Sequence, residues 1–191
     1  MQFNFNPHPK LAGLHAPFSP SQPSWLRYDE NKALEAYANK KAAEMGTKLH
    51  DWAKRTIDLG IKQPRSNKTI YAYVNDAIGF KMDTEVVLFY SERFFGTADA
   101  ISFRKVNGRF QLRIHDLKTG KIPANMEQLE VYAALFCLEY NFKPGEIDFE
   151  LRIYQKDEII VHNPTAEDIL PIMDHIIRLD KLLAKKDIEE G

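Results

Sequence analysis

Asn107-Gly108 stands between two runs of alternating apolar residues, Ile101 and Phe103 before it and Leu112 and Ile114 after it. An Asn-Gly pair in that setting is the strongest short-range hairpin signal, because the tight turn needs φ > 0 at both central positions. It fixes register as well as direction. With the turn centred between Asn107 and Gly108, position 99 falls opposite position 116, and both are aspartate. Like charges opposed across a strand pair are destabilising. Either the two carboxylates point to solvent, with Lys118 pairing one of them, or something neutralises them together. A hard divalent cation is the economical neutraliser.

Val86, Leu88 and Tyr90 also alternate, so three consecutive antiparallel strands are expected over about 83–91, 94–105 and 109–118. Helix formers dominate from Asp29 to Leu59. Gly46-Thr47 interrupts that run, which predicts a second helix capped by Thr47 and ending at Gly60. Lys62 to Asn67 reads as a loop, and Ile70, Val74 and Ile78 recur at the spacing of a short helix. Helical spacing returns over 124–140, with Met126, Leu129, Tyr132, Ala133 and Phe136 on one face. Two more strands are expected at Ile147–Tyr154 and Glu158–Val161. A last amphipathic helix runs from Thr165 to Lys185 behind a Thr165-x-x-Asp168 cap. Five of the ten prolines lie within residues 1–24. Residues 1–28 are therefore expected to form a Pro-rich arm, docked through Trp25, Leu26 and Tyr28 on a single α/β domain over 29–191.

Composition narrows the chemistry. One cysteine, Cys137, excludes an internal disulfide and a Cys-based iron–sulfur or zinc site. The longest nearly uncharged apolar run, Val131 to Leu138, is far short of a membrane span, so no membrane partner is expected. The start, Met1-Gln2-Phe3-Asn4, lacks the basic and apolar stretches of a signal peptide, and a soluble cytoplasmic protein is expected. The formal net charge of −1 neither requires nor excludes a nucleic-acid partner.

Strand alternation puts Leu112, Ile114, Asp116 and Lys118 on one face, and Asp99 on a face with Ile101 and Phe103. Gln128 and Tyr132 share a helix face at i, i+4. His50 follows Gly46 by four. Each alone reads as ordinary surface or core. Lys48 and Lys54 near His50, and Arg104, Lys105 and Arg109 at the hairpin, read as solvated cations or as phosphate contacts. Of Tyr90, Phe94 and Phe95, at least two are expected in the core, and a free one could stack on an unpaired base.

Four segments taken in order, Gly46-Thr-Lys-Leu-His50, Gly96-Thr-Ala-Asp99, Asp116-Leu-Lys118-Thr119-Gly120 and Gln128-Leu-Glu-Val-Tyr132, resemble the PD-(D/E)XK nuclease superfamily, and within it the RecB-like branch. The resemblance covers about 46–132. It implies a restriction-endonuclease-like core, a central mixed sheet whose three-stranded antiparallel meander is flanked by helices. It also implies a DNA exonuclease, with an endonuclease or a catalytically silent binding module as the alternatives. His50, Asp99, Asp116 and the backbone carbonyl of Leu117 would hold Mg2+ or Mn2+, with Glu85 a weaker ligand. Lys118 would act on the attacking water or the phosphate. Gln128 and Tyr132 would position DNA or brace Lys118, and Lys48, Lys54, Thr119 and Lys121 would contact DNA. The four cysteines and the Cys-Pro of some relatives are absent, as are helicase and phosphate-loop motifs. Strand separation would then fall to a recombination, helicase or single-strand-binding partner, in a bacterial or phage-infected cell.

Overall fold

The computed structural model describes Phe18, Pro20, residues 23–120 and residues 123–190. The expected docking of the 1–28 arm falls largely outside these residues. The chain divides into two compact units, Met1–Met45 and Gly46–Gly191. In the first, a 3-10 turn at Pro23–Arg27 leads to the start of helix α1, Glu30–Asp58, where Asp29 Oδ1 accepts the Lys32 N–H at 2.8 Å as an N-cap.

The break expected at Gly46-Thr47 does not occur, because α1 runs through it. A glycine inside a helix costs about 1 kcal/mol relative to alanine. Here it admits a neighbour: a Cβ at Gly46 would lie 2.7 Å from Thr119 Oγ1.

The second unit continues with α2 (Thr69–Gly79), β1 (Asp83–Ser91), β2 (Phe94–Val106), β3 (Arg109–Lys118), α3 (Glu127–Tyr140), β4 (Ile147–Gln155), β5 (Glu158–His162) and α4 (Ala166–Glu190). The strands form one mixed sheet in the order β1-β2-β3-β4-β5, with β3 and β4 parallel and every other pair antiparallel. The parallel step needs a crossover connection, which α3 supplies. Asn107 (φ 49) and Gly108 (φ 87) make the expected turn, and Val106 pairs with Arg109. Asp168 Oδ2 accepts both the Thr165 N–H (2.7 Å) and its hydroxyl (2.9 Å), as the capping sequence predicts. Among the described residues no helix is long and apolar enough to cross a membrane.

Each sheet face buries its own core. Leu112, Ile114, Phe149 and Leu151 pack with Leu129, Ala133 and Phe136 of α3 and Ile169 of α4. Cys137 sits in that core, and burial pushes its thiol up to about 12, which keeps it unreactive at neutral pH. On the other face Leu117, Ala100 and Tyr154 meet Ala53 and Ile57 of α1 and Val74 and Ala77 of α2.

The second face also carries a charged network. Tyr154 Oη (2.7 Å) and Arg152 Nη1 (3.0 Å) donate to Asp76 Oδ2 on α2, and Tyr154 Oη lies 3.2 Å from Nδ1 of the buried His115. His115, Arg113 and Arg152 hold the Glu150 carboxyl down, to about 2. At 4.0 Å the imidazole is beyond hydrogen-bond reach, so the two guanidiniums, at 3.1 and 2.8 Å, carry the effect. A carboxyl lowered by folding contributes stability above its unfolded pKa, near 4.5, and loses it as pH falls toward 2. Glu150→Gln should therefore flatten the loss of melting temperature between about pH 4.5 and pH 2. Equal slopes for variant and wild type would refute this.

Candidate active site

The β2–β3 ladder runs from Val106↔Arg109 to Ala100↔His115. One further step of that register would set Asp99 against Asp116, as the turn predicts, but the ladder stops at Ala100↔His115. There the seam changes character, because the Leu117 N–H donates to the side chain of Asp99, at Oδ2, 2.9 Å away. On the other side of β2, the β1 ladder pairs Thr84 with Ala100 and Val86 with Ala98 but omits Glu85 and Asp99 between them. Glu85 sits at φ 52, a left-handed conformation that costs a non-glycine residue about 1–3 kcal/mol.

Both strands switch faces at this step. Val86, Leu88 and Ala98 pack on the α3 side, whereas Ala100 joins the α1–α2 core. Thr84 meets α1, its hydroxyl donating to Asp58 Oδ1 at 2.6 Å. The simple alternation expected for Asp99, one face with Ile101 and Phe103, thus breaks at Asp99 itself. Its carboxylate lies in the seam, where His50 of α1 reaches it with Nδ1 3.4 Å from Oδ2.

On the α3 side Asp116 is 3% exposed, and its Oδ2 accepts no hydrogen bond. Lys118 Nζ stands 3.0 Å from that oxygen as an ion pair and donates to Oδ1 at 3.2 Å and to Gln128 Oε1 at 2.8 Å. Gln128 Nε2 in turn donates to Tyr132 Oη at 3.3 Å. Of the expected Gln128–Tyr132 pair, Gln128 touches Lys118 directly and Tyr132 touches Gln128.

Two glycines interlock these segments. A Cβ at Gly96 would lie 2.8 Å from the Tyr132 ring, just as one at Gly46 would meet Thr119. Gly96→Ala should cost about 1–3 kcal/mol of overpacking, lowering Tm by about 2–12 °C in a chain of this size. In a Tyr132→Leu background the same substitution should cost little. Equal penalties in both backgrounds would show that the ring is not what Gly96 accommodates.

Burial, followed by the Asp116 carboxylate, pushes the Asp99 carboxyl above its ordinary range; the Leu117 N–H and His50 oppose this, and Glu85 adds to it. Tyr73 of α2 stands in the same field. Burial and then Asp99, Asp116 and Glu85 raise its phenol. No local sequence signal marks it.

Among the described residues no group of three or more His, Cys, Asp and Glu forms a ready-made metal cage. The seam offers less than a cage: two neighbouring carboxylates, one of them ion-paired to Lys118, and an imidazole. That donor set fits a cation that keeps several waters and takes its remaining oxygens from substrate, as Mg2+ does, and the imidazole suits Mn2+ equally.

The expected DNA contacts fare unevenly. Lys48 and Thr119 are exposed, Thr119 beside Gly46. Lys54 is held by Asp58 (2.7 Å) and Thr84 (3.1 Å), tying α1 to β1. Lys121 lies outside the described residues. The hairpin cations are engaged too, Arg104 with the carbonyls of Phe80 and Lys81 and Arg109 with Asp148. His162 ends β5 with Nε2 3.0 Å from Glu130 Oε1. Comparison with protein-family models and with curated proteins gives no match.

Proposed function

We propose that this chain is a divalent-metal-dependent DNA exonuclease of the PD-(D/E)XK superfamily, in its RecB-like branch. It would hydrolyse phosphodiester bonds from DNA ends during recombination, repair or phage DNA processing, in the cytoplasm of a bacterial or phage-infected cell. The five-stranded sheet would be its restriction-endonuclease-like core. One observation carries the reading: Asp99 and Asp116 lie where the β2–β3 ladder ends, with His50 Nδ1 3.4 Å from Asp99 Oδ2 and Lys118 Nζ 3.0 Å from the buried Asp116 Oδ2. A solvated pair of surface acids has no reason to stand with one carboxylate buried and the other half-buried beside an imidazole and a braced ammonium.

Asp99, Asp116, His50 and the Leu117 carbonyl would hold Mg2+ or Mn2+, with Glu85 at the margin. Such a cation, when bound, neutralises phosphate charge and makes a water a stronger nucleophile. Lys118, fixed between Asp116 and Gln128, directs its Nζ protons at the attacking water or at charge developing on the phosphate. Gln128 and Tyr132 keep that ammonium in place. Lys48, Thr119 and Lys121 would meet the DNA backbone, and strand separation would come from a helicase or single-strand-binding partner.

Linear DNA and a closed circle of the same sequence, incubated with Mn2+, Mg2+ or EDTA, test the reading. Metal-dependent loss of the linear form alone supports an exonuclease. Cutting of the circle makes the protein an endonuclease of the same fold. Failure of well-folded protein to cut either leaves a binding module.

A further inference from the structure

Beyond the seam, β1 and β2 continue as a two-stranded tip whose faces differ. Val86, Leu88, Tyr90 and Phe94 pack into the α3–α4 core. On the opposite face Val87, Phe89 and Phe95 are 54%, 45% and 61% exposed. Phe89 and Phe95 are direct cross-strand partners, their rings 6.4 Å apart and 33° from parallel. Val87 pairs with Thr97, the step between this aromatic pair and Glu85 and Asp99. An apolar patch exposed beside a polar site marks a binding surface more often than an accident.

The size of the patch selects its occupant. A stable protein–protein interface buries about 800 Å² on each partner, from about 20–30 residues, and three side chains fall well short of that. They match one or two flat rings. The neighbouring carboxylates are matched to a phosphate through a cation, so the ring that reaches Phe95 would be attached to a phosphodiester chain. Four residue steps of extended strand lead from Phe95 to Asp99, about 13 Å, a few nucleotides of one strand at about 3.4 Å per stacked step. The cation at the tip, Arg93, is tied to Asp180 and Asp187, so the patch offers stacking rather than charge. In a duplex the base faces are already stacked on one another; only an unpaired base presents its face to a protein ring.

We infer that Phe95 and Phe89 form a stacking platform for an unpaired nucleobase a few nucleotides from the phosphate at Asp99 and Asp116, which makes a strand with unpaired bases the preferred substrate. This rests on the nuclease reading above. The test is fluorescence anisotropy in EDTA, where no cleavage occurs. The probes are a labelled oligothymidylate, the same backbone with abasic sugars, and a blunt duplex. Wild-type protein should bind the oligothymidylate about tenfold more tightly than the abasic strand, from one stacked base, and more tightly than the duplex. Phe95→Ala should abolish the preference while leaving abasic binding unchanged, and Phe95→Trp should retain it; Phe89→Ala should weaken it. Equal wild-type binding to thymidylate and abasic strands overturns the platform, as does equal weakening of both by Phe95→Ala. Either result leaves the nuclease reading intact if linear DNA is still cut. Wild-type protein that binds no DNA of any form in EDTA overturns the platform, and the nuclease reading is then judged by whether linear DNA is cut with Mn2+.

Discussion

Lys118→Ala is expected to abolish DNA cleavage, by at least the ~10²–10³-fold that loss of one preorganised donor costs, while Mn2+ binding persists. The reason is where Nζ stands, 3.0 Å from Asp116 Oδ2 and 2.8 Å from Gln128 Oε1. Its removal takes a cation away from the acids and so favours, rather than hinders, a metal between them. Loss of cleavage together with loss of the Mn2+-induced rise in Tm would mean that Lys118 acts by holding the site together. Full activity would remove it from the mechanism.

Asp116→Asn should lose both properties. A cation at about one hundred times its Kd adds about 2.7 kcal/mol of stability, or about 5–11 °C in Tm for a chain of this length. The wild type should show that rise with Mn2+ and the variant should not. The amide keeps the shape and removes the charge that raises Asp99, so the metal-free variant should fold normally. A persistent Mn2+ effect in the variant would put the cation elsewhere.

The strands and the β2–β3 register were legible because they depend on local signals, above all Asn107-Gly108, whose two positive φ values set that register. The Gln128–Tyr132 pair was legible as spacing, whereas its link to Lys118 was only implied by the resemblance. What stayed hidden depends on contacts distant in sequence. The face switch at Glu85 and Asp99 places a glutamate at φ 52, which no propensity predicts. Gly46 reads as a helix break until Thr119 is seen against it. Lys54 reads as a free cation until Thr84, thirty positions on, is found bonded to it. Tyr73 and the Asp76–Tyr154–His115 network join three elements at long range, and no periodicity encodes such pairings.

The most direct measurement is release of label from end-labelled linear DNA by wild-type protein and Asp116→Asn prepared side by side, each with Mn2+ and with Mn2+ plus EDTA. The account predicts release by wild type with Mn2+ alone, and none in the other three reactions. No release by folded wild type, or release by Asp116→Asn at the wild-type rate, would contradict it.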